Sequence, residues 1–399
     1  MQKSPTVLCL ASYYKGIQLM ESYKKLGCRV VVLASAHLQN RPWPMDIIDE
    51  IHYVHSLEGD LEENLRAISY LARERQFDII APMEEYMIQP AATIRAHLGC
   101  VGGLDEGIAR RVRDKLNMRQ AARAFGLHTP RFVGLAHHPA VARFLQDVPA
   151  PWIMKPRSEG GSVQMKKFHH PDDVWQQIHQ MGDKQAWFLL EEFITGDVCH
   201  VDSLYHKGKV VFACPSQYLT PPFSVWHGGG VFGSRTVARD SKRGKTLLKE
   251  NERAIQAMGV QNGVAHTEFI VDANQKPYFL ELGARIPGAH LDILVDKASG
   301  VNIAFEQCRL EICALDDSDY EVPKPDFKPA GIALCLSKDR HPDLSSFADP
   351  EVIWRLAKEH HAGLIFRGEQ ERVEKLLKQY ADRLKNEYLA VLPPSDKPG

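Results

Sequence analysis

The chain has 399 residues, 44% hydrophobic and 25% charged, ordinary values for a folded protein with room for two to three domains. A formal net charge of −1 provides no basic field for nucleic acid or an anionic membrane, and no apolar run approaches the ~20 residues of a membrane span. The eight cysteines are scattered with no CxxC pair, which argues for buried reduced thiols in a cytoplasmic protein over a disulfide framework or a zinc site.

In chain order, residues 1 to about 100 alternate between strand and helix text. TVLCLA reads as a first strand, not a leader, and KGIQLMESYKKLG as a helix ended by Gly27. CRVVVLAS and IDEIHYVHS read as strands, DLEENLRAISYLARERQ as an amphipathic helix, FDIIAPM as a strand and MIQPAATIRAHLG as a helix. Such alternation predicts a parallel α/β sheet with helices on its faces. The first strand-to-helix turn, ASYYKG, has no GxGxxG, so a dinucleotide fingerprint is weakly supported. From Asp105 to about Thr129 the text is helical and densely charged. Residues 150–300 become α+β, with strands at PAPWIMKP, VQMKKF, AWFLLEEFI and VCHVDSLYHKGKVVFACPS, and helices at HPDDVWQQIHQM and KRGKTLLKENERAIQAMG. Between these, QYLTPPFSVWHGGGVFGSR is polar and glycine-rich. After residue 320, EVPKPDFKPAG reads as a connector, GIALCLS as a strand, ERVEKLLKQYADRLKNEYLAVL as a long amphipathic helix and PPSDKPG as a disordered tail.

The string HTEFIVDANQKPYFLELGARIPG, His266 to Gly288, reads as a hairpin, because TEFIV and YFLEL have strand composition and DANQK turn composition. A four-residue loop, Ala273 to Lys276, sets Asp272 against Pro277 and Glu268 against Glu281 on one face. Directly opposed residues have Cβ atoms roughly 5 Å apart. Two ionised carboxylates at that distance repel unless a proton or cation lies between them, and oxygen ligands suit Mg²⁺ or Mn²⁺. A register shifted by one residue would instead send one glutamate to solvent.

Four features have the composition of a nucleotide triphosphate site. Lys115 lies in RVRDKLNMRQ. Lys155 leaves an apolar strand into the glycine-bearing loop Ser158–Ser162, where backbone N–H groups can approach a phosphate. FLLEEFITGD runs into Glu191 and Glu192, followed by Asp197, a candidate ribose acceptor. Arg285 follows Glu281 by four residues, and its planar fork suits a transferring phosphoryl or acyl-phosphate oxygen. Taken singly, each is equally a solvated helix lysine, a hairpin turn, a strand end or a surface arginine. No GxxxxGK[ST] string is present.

In order and spacing, however, FDIIAPMEEYMIQPAATIRAHLG…RDKLNMRQAARAFGLHTPRF, IMKPRSEGGS, EEFITGD, HTEF and FLELGARIPG resemble the ATP-grasp superfamily over residues of about 75 to 310. The likeness is to carboxylate–amine ligases, which include the L-amino acid (dipeptide) ligases. It implies an α/β and α+β architecture: an N-terminal Rossmann-like parallel-sheet domain (1–104), then a two-lobed ATP-grasp fold. The ATP-grasp domain would span 105–320, with a central lid lobe at about 130–195, and 321–399 would complete its core as an α+β subdomain. It also implies roles. Lys115 and Lys155 would hold the phosphates, Lys155 and Arg285 being the catalytic pair. Ser158, Gly160, Gly161 and Ser162 would lie in the lid loop. Glu191, Glu192, Phe193 and Ile194 would form the adenine hinge, with Asp197 on the ribose. Glu268 and Glu281 would carry Mg²⁺ or Mn²⁺. One departure stands out: the family usually writes Glu-x-Asn-x-Arg, with the Asn a metal ligand, and here Gly283 stands in its place. That puts a second metal ion in doubt.

The implied activity is two-step ligation: ATP phosphorylates a carboxylate, and an amine displaces phosphate from the acyl-phosphate to leave an amide. Partners would be small-molecule carboxylate and amine substrates, with amino acids the expected class, and a homodimer through the N-terminal domain is the expected assembly. Glu84, His227, Arg235, Gly288 and His290 are the substrate-pocket candidates. The rivals are a biotin-carboxylase-like enzyme, a purine-pathway ATP-grasp enzyme, and an ATP-binding regulator without turnover. The first is disfavoured by Ile286-Pro287-Gly288-Ala289 after Arg285, where that family carries Gln-Val-Glu-His.

Overall fold

The computed structural model describes residues 4–159, 164–223, 225, 229–316 and 318–390. Three sheets organise it. The first is parallel and built from β1 (Thr6–Ala11), β2 (Arg29–Ser35), β3 (Glu50–Val54) and β4 (Ile79–Pro82), in the order β3-β2-β1-β4. Every residue of β1 is buried, as expected of a central parallel strand covered by helices on both faces. The carboxyl ends of β1 and β4 bring Ser12 and Glu84 together: the Ser12 amide donates to Glu84 Oε1 at 3.1 Å and its hydroxyl at 2.7 Å.

The helical text after Asp105 is two helices, Glu106–Arg113 and Lys115–Ala124. It does not run through, because Asp114 adopts an extended conformation and caps the second helix, its Oδ1 accepting from the Leu116 amide at 3.0 Å. The break puts Lys115 in the first turn of a new helix.

The second sheet is antiparallel: β5 (Phe132–Gly134), β6 (Trp152–Pro156), β7 (Lys166–Phe168) and β8 (Phe188–Glu192), in the order β5-β8-β6-β7. Phe144 and Val174, from helices His138–Asp147 and Pro171–Met181, pack on Trp152, Met154 and Leu190.

The third sheet has eight strands: β9 (Asp197–His206), β10 (Lys209–Tyr218), β11 (Phe232–Thr236), β12 (Gly263–Val271), β13 (Pro277–Gly283), β14 (Ala330–Leu336), β15 (Val352–Arg355) and β16 (His361–Arg367). Their order is β13-β12-β9-β10-β11-β14-β16-β15. VCHVDSLYHKGKVVFACPS is therefore two strands, turned at Lys207 and Gly208, and the glycine-rich stretch that reads as loop ends in β11. One face packs on the helix Lys242–Met258 through Leu247, Ile255 and Met258 against Val201, Ala265 and Phe269. The other packs on the helices Leu291–Ser299 and Ile303–Asp316 through Val295, Ile303 and Leu310 against Leu204 and Val264. Strand β14 continues the same sheet after the connector, and the helix Gln370–Glu387 covers that end.

All eight cysteines are free thiols, six of them buried. Among the described residues no helix is long and apolar enough to cross a membrane.

Candidate active site

Glu268 on β12 and Glu281 on β13 are paired directly across the ladder. The turn is not the expected one: Val271, not Asp272, pairs with Pro277, and a bulge after Glu268 absorbs the extra residue before the glutamates meet. The next rows follow from the same register. Glu268 neighbours His200 on β9, and His266 lies between Gly283 on β13 and Asp202 on β9. Successive side chains of a strand alternate faces, so His200, Asp202, His266, Glu268, Glu281 and Gly283 share one side of the sheet.

Among the described residues Glu268 is bound through a single oxygen. Tyr218 donates its hydroxyl to Oε1 at 2.8 Å, and His266 Nε2 lies 3.4 Å from the same atom. Burial alone would raise the Glu268 pKa; His266 and Tyr218 outweigh it and hold the carboxyl below its usual range. His266 is itself pushed up to about 10, because Asp202 and Glu268 overcome the opposing effect of burial. Glu281 pairs with Lys115 Nζ at 3.1 Å, and that ammonium also donates to the Glu159 carbonyl at 2.5 Å.

These groups face a cavity of about 370 Å³ lined by Lys115, Lys155, Glu268 and Glu281 at its polar end and by Ile153, Met165, Phe193, Ile270 and Leu280 among its apolar walls. Lys155 is buried inside β6 with its ammonium 2.5 Å from Glu191 Oε2. Burial pulls the Lys155 pKa down to about 8 against the pull of Glu191. The fully buried Arg119, from the helix Lys115–Ala124, donates to the other Glu191 oxygen at 2.7 Å. Glu191 thus presents its carboxylate to two cations, in addition to its expected place in the hinge.

Glu192, Phe193 and Ile194 line the cavity. The amides of Glu192 and Phe193 are held by the carbonyls of Arg131 and Pro151, while that of Ile194 has no partner among the described residues. Glu192 turns its carboxylate to Arg131, at 2.9 Å to each oxygen. At Gly196 the segment presses on β12: an added Cβ would stand 2.3 Å from the Val271 carbonyl oxygen, so only glycine fits. Asp197 does not line the cavity and pairs instead with Arg243 at 2.7 Å. The Ser158 carbonyl accepts from Arg113. Gly160, Gly161, Ser162 and His227 lie outside the described residues.

A narrow cleft adjoins the cavity, sharing Lys115 and Glu281 with it and adding Glu85, Arg113, His266, Gly283 and Arg285. Arg285 donates through Nε and a terminal nitrogen to Glu85 Oε2, both at 2.9 Å, and the other Glu85 oxygen accepts from Arg113. Burial would raise the Glu85 pKa, and Arg113, Arg285 and Lys115 together hold it far below the carboxylate range. An added Cβ at Gly283 would meet the Arg285 side chain at 3.5 Å, ordinary contact, so the Arg285 stem borders the space an asparagine would use.

Of the substrate candidates, Glu84 stands beside Glu85, with Oε2 buried and unbonded among the described residues; burial pushes its pKa up to about 7. Ala289 and His290 are successive left-handed residues, with φ 53° and 56°, backbone strain of the sort found at functional sites. The His290 ring lies 5.5 Å from Trp354. Gly288 opens this turn, its carbonyl accepting from the Leu291 amide. Arg235 is drawn away to Glu374, 3.3 Å distant on the C-terminal helix. The signal for His200, Asp202 and His266 was present as the i, i+2 spacing of HVD and HTE on strands, but nothing in the sequence says that β9 neighbours β12.

Comparison with known proteins agrees with this architecture. An ATP-grasp domain model matches residues 112–289. Alanine–anticapsin ligase of Bacillus subtilis (strain 168) is 22% identical over 319 residues, 73% of this chain and 66% of that protein. D-alanine–D-alanine ligase of Stutzerimonas stutzeri (strain A1501) is 29% identical over 212 residues, 51% of this chain and 65% of that protein. The chain thus spans just under two thirds of the length of these relatives. An L-amino acid ligase from Bacillus licheniformis superposes with a TM-score of 0.75 at 18% identity, covering 96% of this chain and 98% of that one. N5-carboxyaminoimidazole synthetase from Staphylococcus aureus superposes with a TM-score of 0.71 at 14% identity, covering 96% and 98%. Residues 112–289 thus form an ATP-grasp domain.

Proposed function

We propose that the protein is an ATP-dependent ligase that joins a carboxylate to an amine, releasing ADP and phosphate. One observation carries the reading. Two lysines and two opposed carboxylates face a single cavity, and that cavity meets the Arg285 cleft at Lys115 and Glu281. Apolar walls suit a nucleobase, with the Ile194 amide available to its edge, and the ammonium groups suit its phosphates. The donor set also fits a hard divalent cation: Glu268 and Glu281 offer oxygens across one ladder, and Glu268 Oε2 has no hydrogen bond among the described residues. Held by these two residues, Mg²⁺ or Mn²⁺ would neutralise phosphate charge and orient the phosphates.

The side chains account for the rest. Lys155 turns from Glu191 to the phosphates while Arg119 keeps Glu191 compensated. With the carboxylate substrate in the cleft and ATP in the cavity, the bond between the terminal phosphorus and ADP breaks as a bond to the carboxylate oxygen forms. The amine then adds to the acyl carbon, phosphate departs, and the amine's proton passes to solvent. Arg285, tethered by Glu85, holds a fixed positive charge where oxyanion charge develops. Amino acids are the favoured substrates, because Glu84, next in the chain to the cleft residue Glu85, has a buried oxygen with no partner among the described residues that suits an ammonium group. The names of the relatives, an alanine–anticapsin, a D-alanine–D-alanine and an L-amino acid ligase, support the same class.

The test is phosphate release from ATP with a panel of amino acids, simple carboxylates and bicarbonate. Release that requires amino acids, with an amide-linked product by mass spectrometry, is expected. Bicarbonate-dependent release would replace the reading with a carboxylase, and release indifferent to every acceptor would replace it with a regulator.

A further inference from the structure

Glu268 is the end of a buried chain of polar groups that the ligation chemistry does not use directly. His266 Nδ1 lies 2.7 Å from Asp202 Oδ1, and the other Asp202 oxygen lies 2.8 Å from His200 Nδ1. His200 Nε2 lies 2.8 Å from Ser234 Oγ. His200 and Asp202 have no exposed surface. Each ring nitrogen and each Asp202 oxygen has a partner, and a fully satisfied buried network of this kind holds one arrangement. The three groups nearest its centre, His200, Asp202 and His266, place their ligand atoms within 4.8 Å of one another. Because the nitrogens facing Asp202 are already bonded to it, the cluster reads as a hydrogen-bonded network and not as a metal site of its own.

The far end of this network meets Glu268. Tyr218 and His266 both reach Oε1, and neither reaches Oε2. Opposite His266 on β13 stands Gly283, which has no side chain to come between the imidazole and the cleft it lines. We propose that His266, oriented by Asp202, and Tyr218 are positioning residues that fix Glu268 by one oxygen so that the other is presented to the divalent cation. This rests on the assignment of Glu268 and Glu281 to that cation. Partners that orient a ligating carboxylate from behind affect metal affinity by about 10–100-fold.

The experiment is a Mn²⁺ titration followed by electron paramagnetic resonance, with ADP present, on the intact protein and on Glu281→Gln, Tyr218→Phe, His266→Asn and His266→Gln. Gln keeps an N–H donor near the Nε2 position, whereas Asn reaches only the Nδ1 position. Tyr218→Phe and His266→Asn are expected to bind Mn²⁺ about 10-fold more weakly, and His266→Gln is expected to recover most of that loss, an order that loss of packing would not produce. Should His266→Asn fail to fold, Tyr218→Phe carries the test, since it removes a single hydroxyl. Wild-type affinity in folded Tyr218→Phe and His266→Asn, with Glu281→Gln weakened, would overturn the positioning role and leave the ligase reading standing. Wild-type affinity in Glu281→Gln would overturn the cation pair itself. A nitrogen-14 modulation on bound Mn²⁺ that vanishes in His266→Asn would make His266 a ligand and overturn the positioning role.

Discussion

The cavity proposed to hold the nucleotide and the cleft at Arg285 share two side chains but are assembled differently. The cavity's polar groups stand on strands or at a helix start: Lys155 inside β6, Glu191 on β8, Glu268 and Glu281 on facing strands, and Lys115 one residue after a helix cap. Their directions follow from pleating and capping. The cleft gathers Glu85 from the exit of β4, Arg113 from a helix end and Arg285 from beyond β13, and these meet only through ion pairs. Side chains set on regular elements are held by the backbone, whereas those set on loops must hold one another. Substitutions in the cavity should therefore remove function and leave the fold, and those in the cleft should alter both.

The largest effect is expected at Glu268 and Glu281, the proposed cation pair. Glu281→Gln keeps the shape and removes the charge; turnover should fall by about 10³-fold, the scale of losing a dedicated electrostatic contact in a transition state, with an unchanged melting temperature by circular dichroism. Near wild-type turnover would break the comparison at its centre. Next is Lys155→Ala. Hydrogen bonds to charged groups contribute roughly 1.5–3 kcal/mol, so ATP affinity by calorimetry should fall about 10- to 100-fold; unaltered affinity would move the phosphates elsewhere.

Glu84, next in the chain to the cleft residue Glu85, sharpens the comparison through pH. Its folded pKa of about 7 lies above the ordinary 4.5, so between those values the folded chain keeps a proton that the unfolded chain has released. Stability therefore declines as pH rises through that window, and Glu84→Gln, with no proton to lose, escapes the decline. The melting temperature of the variant relative to the parent should rise from about pH 5 to about pH 7; a constant difference would show that Glu84 titrates normally. The smallest effect belongs to Arg235→Ala. Its 3.3 Å pair with Glu374 is partly exposed, a contact worth about 0–1 kcal/mol, and turnover should change less than threefold. A large loss would return Arg235 to the substrate pocket.

Much of the cavity was legible in the residue order. Lys115, Lys155, Glu191, Glu192, Phe193, Ile194, Glu268 and Glu281 all face it. The Glu268–Glu281 pairing held although the turn was misread, because the bulge restored the alternation that the five-residue turn had shifted. Asp197 shows the limit: its place after the hinge suggested a ribose contact, yet Arg243, from a helix 46 residues on, takes its carboxylate. The Arg119–Glu191–Lys155 cluster was not legible either, since Arg119 reads as one more charge on a charged helix and only packing reveals that it is fully buried.

The residue sequence by itself determined the alternation of elements, the facing glutamates and the lysines that face the cavity from a strand and a helix start, because pleat and helix period are properties of local chain. Tertiary structure alone decided that β9 lies beside β12, which joins Asp202 to His266 and so to Glu268, and that Glu85 reaches Arg285 across 200 residues. Those contacts depend on strand order and on the docking of the first sheet against the others. Both are set by burial summed over the whole chain, which no local pattern encodes.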